Sequence, residues 1–441
     1  MPTQQQFEQP NYLPHPSTTS NMSKRIIIVG SGFSGFWAAV SARRLASISF
    51  EKGILGADRV DVVVVAPDAN LVIRPRLYEP DPARMSVPVD DVYRACGVHF
   101  VHGIVDTIRT VDHEIEMIDH AGVRSIMTYD KLILAAGSRV VHPSITGLHD
   151  YTFTVDQLED AVKLERHLQS LASKPASKAR NTFVVCGGGF TGIEVATELP
   201  YRLRAILGQK ADIRVVVVDR EQDIGAALGP GPRPHVVEAF ADLGIESILS
   251  TSVAGVDASG VILSSGERIE TLTPIWTAGV RASPLTTQVP GEKDAFGRLR
   301  VDEDLRVSSD KDVLATGDVA CALTDGEGGH YARMSCQHAI PLGKIAGHNA
   351  MADLLQIPAI PYSQPLYVIC LDLGATGAFF GKGWDFDSKW AGPGVKSVKQ
   401  FINGLVIYPP RANAGEAFAA AEPVADYSAL QRIAKNAGIM L

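Results

Sequence analysis

The chain has 441 residues, 46% hydrophobic and 20% charged, the balance of a globular protein rather than a disordered or polytopic membrane chain. At about 150 residues per domain, the length allows two to three domains with a large core. Forty-nine acids against 41 bases leave a net charge of -8, which opposes binding to a polyanion, so nucleic acid is not an expected partner.

Residues 1–23 are rich in Gln, Pro, Ser and Thr and lack the basic start and apolar run of a signal peptide. A disordered tail is expected there, with Met22 as a candidate older start of the folded protein. Five cysteines, Cys96, Cys186, Cys321, Cys336 and Cys370, are scattered without a C-x-x-C pair or histidines at zinc spacing. A reducing, cytoplasmic setting and no metal site are expected. No stretch reaches the ~18 apolar residues of a membrane span, so contact with the inner face of a membrane is expected to be peripheral at most.

From Lys24 the chain shows an apolar strand to Val29, the turn Gly30-Ser31-Gly32-Phe33-Ser34-Gly35, an Ala-rich helix to about Ala46, and a strand from Val60 to Val65. Apolar stretches Val98 to Val105 and Ile115 to Ile118, and a strand Lys131 to Ala136 stopping at Gly137, read as completing the same sheet. After a polar loop, 173–181, the grammar repeats: strand Thr182 to Cys186, turn Gly187-Gly188-Gly189-Phe190-Thr191-Gly192, a helix through about Leu207, and strand Ile213 to Val218 ending at Asp219. A later strand, Asp312 to Ala315, runs into Thr316-Gly317-Asp318, and a mixed segment follows from about 360.

Each G-x-G-x-x-G has a mechanical reason. The first glycine makes the tight turn, the second lets backbone N–H groups approach a pyrophosphate, and the third lets helix pack on strand. Two copies, each between a buried strand and a helix, point to two dinucleotide sites. The fold class expected is α/β with two Rossmann-like dinucleotide-binding domains: 24–150 with 290–355, a discontinuous unit, and 151–289 inserted in it. Residues 356–441 would form a small C-terminal segment.

With Ile133-Leu134-Ala135-Ala136-Gly137, Ile275-Trp276-Thr277-Ala278-Gly279-Val280 and Leu314-Ala315-Thr316-Gly317-Asp318 added, five motifs stand in one order. The chain resembles the two-dinucleotide-binding-domain flavoproteins, and among them the type II NADH dehydrogenases. The resemblance implies FAD at the first turn and NADH at the second, with NADPH left open. It implies that Asp318 accepts hydrogen bonds from the flavin ribityl chain, or alternatively caps the next helix. It implies that Val105 lies on the strand meeting the FAD adenine, and that Arg74 and Pro75 lie along the flavin unless Arg74 is a surface charge. The acid that holds the adenosine ribose is missing from the end of the second strand, and Asp68, two residues on, is the candidate substitute. At the second site Asp219 would accept the ribose hydroxyls, while the adjoining Arg220 could pair with a 2′-phosphate. Glu194 matches an acid near nicotinamide and flavin, or else is a first-turn acid favoured by the helix dipole.

The family's A-Q-x-A-x-Q helix start is matched by Cys336-Gln337-His338-Ala339-Ile340-Pro341. Gln337 and Ala339 are kept at the flavin, His338 is a candidate for proton exchange or for packing, and Pro341 replaces the glutamine that would lie by a quinone. Lys396 to Ile407 is either an amphipathic lipid contact or a packed element. The expected activity is hydride transfer from NAD(P)H to FAD and onward to a small acceptor, first of all a quinone. Alternatives are a soluble reductase or oxygenase of a specialised molecule, a sulfide:quinone reductase using Cys336 with Cys321 or Cys370, and a non-catalytic redox sensor. A homodimer is left open.

Overall fold

The computed structural model describes residues 11–12, 23–54, 56–325, 329–384, 386, 388–424, 428–436 and 438–439. The chain opens with β1 (Lys24–Val29), turns into α1 (Phe33–Glu51), and continues through β2 (Val60–Ala66), β3 (His99–His102) and β4 (Lys131–Leu134). Then come β5 (Thr182–Cys186), α2 (Phe190–Leu207), β6 (Arg214–Val218), β7 (Ile245–Ile248) and β8 (Thr273–Trp276). The chain returns through β9 (Arg306–Val307), β10 (Asp310–Ala315) and α3 (Cys336–Leu355). It adds β11 (Val368–Asp372), β12 (Ala378–Lys382), β13 (Ser388–Gly392) and α4 (Pro393–Phe401).

The first sheet has the order β9-β10-β4-β1-β2-β3 and the second β7-β6-β5-β8. Apart from β9, which runs antiparallel, the pairs in both are parallel. Such strands are buried on both faces, and Ile26, Ile27 and Ile28 of β1, like Val216 and Val217 of β6, have no exposure. Because β4 pairs directly with β10, the whole second sheet is inserted between two neighbouring strands of the first. β11, β12 and β13 form an antiparallel sheet beside α4.

Two expectations need correction. The stretch Val98 to Val105 is not one element of the nucleotide sheet: β3 stops before Gly103, and Ile104–Arg109 turns into an antiparallel layer with Glu114–Ile118 and Arg124–Thr128. A side chain at Gly103 would strike the Met117 methyl group. The tail is also not structureless throughout, since Asn11 and Tyr12 pair with Ser125 and Ile126; most of its other residues lie outside those described.

Pro341 sits inside α3, where it supplies no N–H to its own helix. The Gln337 carbonyl so released accepts from Gln364 Nε2 at 3.1 Å, which keeps it satisfied. No helix among the described residues is long and apolar enough to cross a membrane.

Candidate functional site

One cleft of about 1620 Å³ runs past the carboxyl ends of the strands of both sheets, touching Gly30, Ala66, Ala136, Thr277 and Asp318. That is where α/β sheets bind ligands, since loops and helix N-termini converge there. At its two turns Gly30 and Gly187 have φ of +108° and +119°, a region that disfavours any side chain. Gly35 and Gly192 lie hard against the Gly30 and Gly187 carbonyls, while side chains added at Gly32 or Gly189 would meet nothing within 4 Å. Space is therefore left at the middle glycine of each turn.

Both helices that follow are unusual in the same way. α1 and α2 have glycine N-caps without a side-chain cap and no acid in the first turn, so their free N–H groups and positive dipole ends have no anionic partner within the helix. That arrangement suits a pyrophosphate, and the residues present fit two dinucleotides. Gly32, Phe33 and Ser34 line the cleft at the first turn, and Phe190 and Thr191 at the second.

Between the turns lies a polar cluster. Ser138 Oγ donates to Asp318 Oδ2 at 2.6 Å, and Arg74 donates to Ser138 Oγ at 3.3 Å and to Asp156 Oδ1 at 2.6 Å. Arg74 is thus a half-buried strut rather than a surface charge, and Pro75 and Gly137 line the cleft beside it. Asp318 caps no helix: it lies in a short turn, and the N-cap of α3 is Ser335. The third uncapped helix end is α3, whose Cys336, Gln337 and Ala339 face the cleft. Gln337 is held there through its amide, which donates to the Val368 carbonyl at 2.7 Å and accepts from the Val368 N–H at 3.1 Å.

Glu194 is buried at the mouth of the second turn, just past the first turn of α2. Lys399 Nζ donates to its Oε1 at 2.7 Å, and the Asp372 N–H does so at 3.0 Å. Burial pushes the Glu194 carboxyl up to about 7 against the pull of Lys399. Burial alone would lower the Lys399 ammonium, but Glu194 more than reverses this and holds it above its ordinary value. Lys399, Asp372, Asp156 and Ser138 were all missed by sequence reasoning. Lys396 and Lys399 are not lipid-facing: Lys396 pairs with Asp372, and both lysines point inward.

Other expected residues are placed differently. His338 is fully buried and does not line the cleft; its Nδ1 shares a 3.0 Å hydrogen bond with Ser335 Oγ, and burial lowers it to about 4. It lies about 100° around the helix from Gln337, so the structure places it in the packing position and not beside Gln337 on the cleft. Val105 is buried in the antiparallel layer and is not on the cleft wall, which runs instead through Ala66, Pro67 and Asp68. Asp68 lines the cleft and accepts from the Asn70 N–H at 3.1 Å through Oδ1. Asp219 accepts from the Gly188 and Glu221 N–H groups, which pins it beside the second turn. Arg220 points outward and pairs with Glu221 at 3.3 Å. Ala278 backs the Gly187 turn, with Gly279 next to it at φ +81°.

Residues 24–343 match the family model described as pyridine nucleotide-disulphide oxidoreductase. An NADH dehydrogenase-like protein of Mycobacterium tuberculosis is 41% identical over 403 residues, covering 90% of this chain and 98% of that one. The demethylphylloquinone reductase of Synechocystis is 29% identical over 86% of this chain and 91% of its own. Among solved structures, NDH2 from Plasmodium falciparum in complex with NADH superposes with a TM-score of 0.70 over 90% of this chain and 97% of that one, a likeness of fold at 15% identity. The chain belongs to the pyridine nucleotide-disulphide oxidoreductase family, and within it to the type II NADH dehydrogenase-like oxidoreductases.

Proposed function

We propose that the chain is an FAD-dependent NADH dehydrogenase that reduces a quinone, with 24–150 and 290–355 holding FAD and 151–289 holding NADH. The observation that carries this reading is the convergence of three uncapped helix N-termini on one cleft. Bound flavin would take a hydride from the nicotinamide and pass the electrons on. The protein's part is to orient and to manage charge: α1 and α2 would hold the two pyrophosphates, Asp318 the flavin side chain, and α3 the flavin edge where negative charge develops. Asp219 supports NADH, since a fixed carboxylate repels a 2′-phosphate and Arg220 is turned away. The Glu194–Lys399 pair shapes the nicotinamide side of the cleft.

A sulfide:quinone reading is weaker, although Cys336 and Cys370 line the cleft. Burial pushes these thiols up to about 11 and about 12, away from the thiolate such chemistry needs. The test is a stopped-flow titration of the purified yellow protein. NADH should bleach the flavin faster than NADPH, and a soluble quinone analogue should restore the colour. Protein purified without flavin, or flavin that NADH does not reduce, would end the proposal.

A further inference from the structure

Gln337, Ile340, Pro341 and Lys344 recur at helical spacing on one face of α3, and all four line the cleft. Pro341 carries no proton donor. Lys344, one turn further, is half-buried, and helical side chains lean toward the N-terminus, which tilts its side chain toward the Gln337 end of the face that lines the cleft. Trp37 of α1 fixes it, with Nζ 4.8 Å from the centre of the indole ring.

Lys344 Nζ has no hydrogen-bond or carboxylate partner among the described residues. The charges around it are otherwise engaged: Arg44 of α1 pairs with Glu422, and Arg411 pairs with Glu416 at 3.3 Å across the C-terminal segment. His348, on the next turn of α3, is lowered to about 4 by burial and by Arg44. The C-terminal part of the cleft lining is mostly apolar, with Ile402, Leu405, Ile407 and Pro409, and also includes Asn403 and Tyr408. An ammonium without a partner among the described residues is thus presented to the mostly apolar cleft, on the same face of α3 as Gln337.

We propose that Lys344 donates the proton that completes quinone reduction in this cleft. This rests on the dehydrogenase reading above. Reduction of a quinone to the quinol takes two electrons and two protons. The reduced cofactor supplies two electrons and one proton, and the second proton passes from Lys344 Nζ to a quinone oxygen. The neutral amine then recovers a proton from water in the open cleft. Burial, helped by Arg44, lowers Lys344 to about 8, so the donor is charged at neutral pH and gives up its proton readily.

The test separates the half-reactions. Holoenzyme reduced with dithionite is mixed with a water-soluble benzoquinone between pH 6 and pH 10. The reoxidation rate of the native protein should be flat below about pH 8 and fall above it. Lys344→Met should be about 100-fold slower at pH 7 and should lose that limb. Lys344→Arg should stay slow, because a guanidinium keeps its proton. Tryptophan fluorescence of the native protein should titrate near pH 8, and Lys344→Met should abolish that step. Native-like rates in Lys344→Met, or rescue by Lys344→Arg, would overturn proton donation. Dithionite bypasses NADH, so failure of NADH to reduce the flavin counts against the dehydrogenase reading alone.

Discussion

The helices behind the two glycine turns are held in opposite ways. α1 is clamped by apolar close packing on α3, where Gly343 and Gly347 sit directly against the Ser34 and Ala38 carbonyls. α2 is held by buried charge: Glu194 by Lys399, Arg202 by Glu165, and Thr197 Oγ1 within 3.4 Å of the Asp372 carbonyl. Close packing is rigid and has few alternatives, which suits a cofactor that stays bound. A buried ion pair gains its strength from geometry, so α2 and the C-terminal segment depend on each other at the face where the proposed nicotinamide would come and go.

The sharpest way to break this contrast is to remove the cation. Lys399→Met leaves Glu194 buried without its counter-charge, which costs about 3–5 kcal/mol. The sign with pH follows from the raised Glu194 carboxyl. Protonated, it needs no partner, so the variant's deficit is small in the ordinary carboxylate range and grows as pH rises through 7 and beyond. Thermal melts at pH 5 and pH 9 should show it, and adding Glu194→Gln should recover most of the loss. An equal deficit at both pH values would mean that packing, not charge, holds α2.

On the α1 side the corresponding loss should fall on ligand retention. Asp318→Ala removes a charged acceptor, worth about 1.5–3 kcal/mol, and flavin affinity should drop about 10- to 100-fold. Absorbance of flavin against protein after dialysis measures this. A variant that stays fully yellow would take Asp318 out of the flavin site. The melting temperature of cofactor-free protein should move little, since Ser138 and Arg74 remain bonded to other groups.

The same contrast explains what the sequence could show. Both glycine turns, their flanking strands and Asp318 are legible because each is a local solution to a local problem: a tight turn, a close approach, a residue just past a strand. Lys399 is not legible, because its partner Glu194 is more than 200 positions away and a Lys396/Lys399 pair on an amphipathic stretch reads equally well as lipid-facing. For His338 the sequence reading kept proton exchange and packing side by side, although a signal favouring packing was present. Gln337 and Lys344 share a helical face and His338 does not, so counting 3.6 residues per turn would have turned it into the core. The stretch Val98 to Val105 was read as one strand because nothing in an apolar run marks the point at which Gly103 hands Val105 to another layer.

A smaller effect tests the packing of α1. Gly347→Ala puts a methyl group against the Ala38 carbonyl, and overpacking of this kind costs about 1–3 kcal/mol, partly offset by the better helix propensity of alanine, about 1 kcal/mol. Because the methyl group meets a backbone oxygen, which cannot swing aside, the cost lies at the upper end of that range, and a net loss of about 2 kcal/mol in thermal stability, with faster flavin release, is expected. Unchanged stability would show that α1 and α3 can slide apart, and the rigidity assigned to the first site would go.

The smallest effect concerns selectivity at the second turn. Asp219 is only partly buried and already accepts from two backbone N–H groups, Gly188 and Glu221, so its carboxylate is fixed in place but well solvated. Asp219→Ala should therefore cost NADH only about 1 kcal/mol, a five- to tenfold rise in KM with little change in kcat. For NADPH the same substitution removes a repulsion, so its KM should stay level or fall. Steady-state rates with both nucleotides decide the matter, and the ratio is the informative quantity because damage to the Gly188 turn would weaken both alike. Equal losses would mean that Asp219 serves the turn and not the ribose, and selectivity would then have to come from elsewhere in the loop that follows β6.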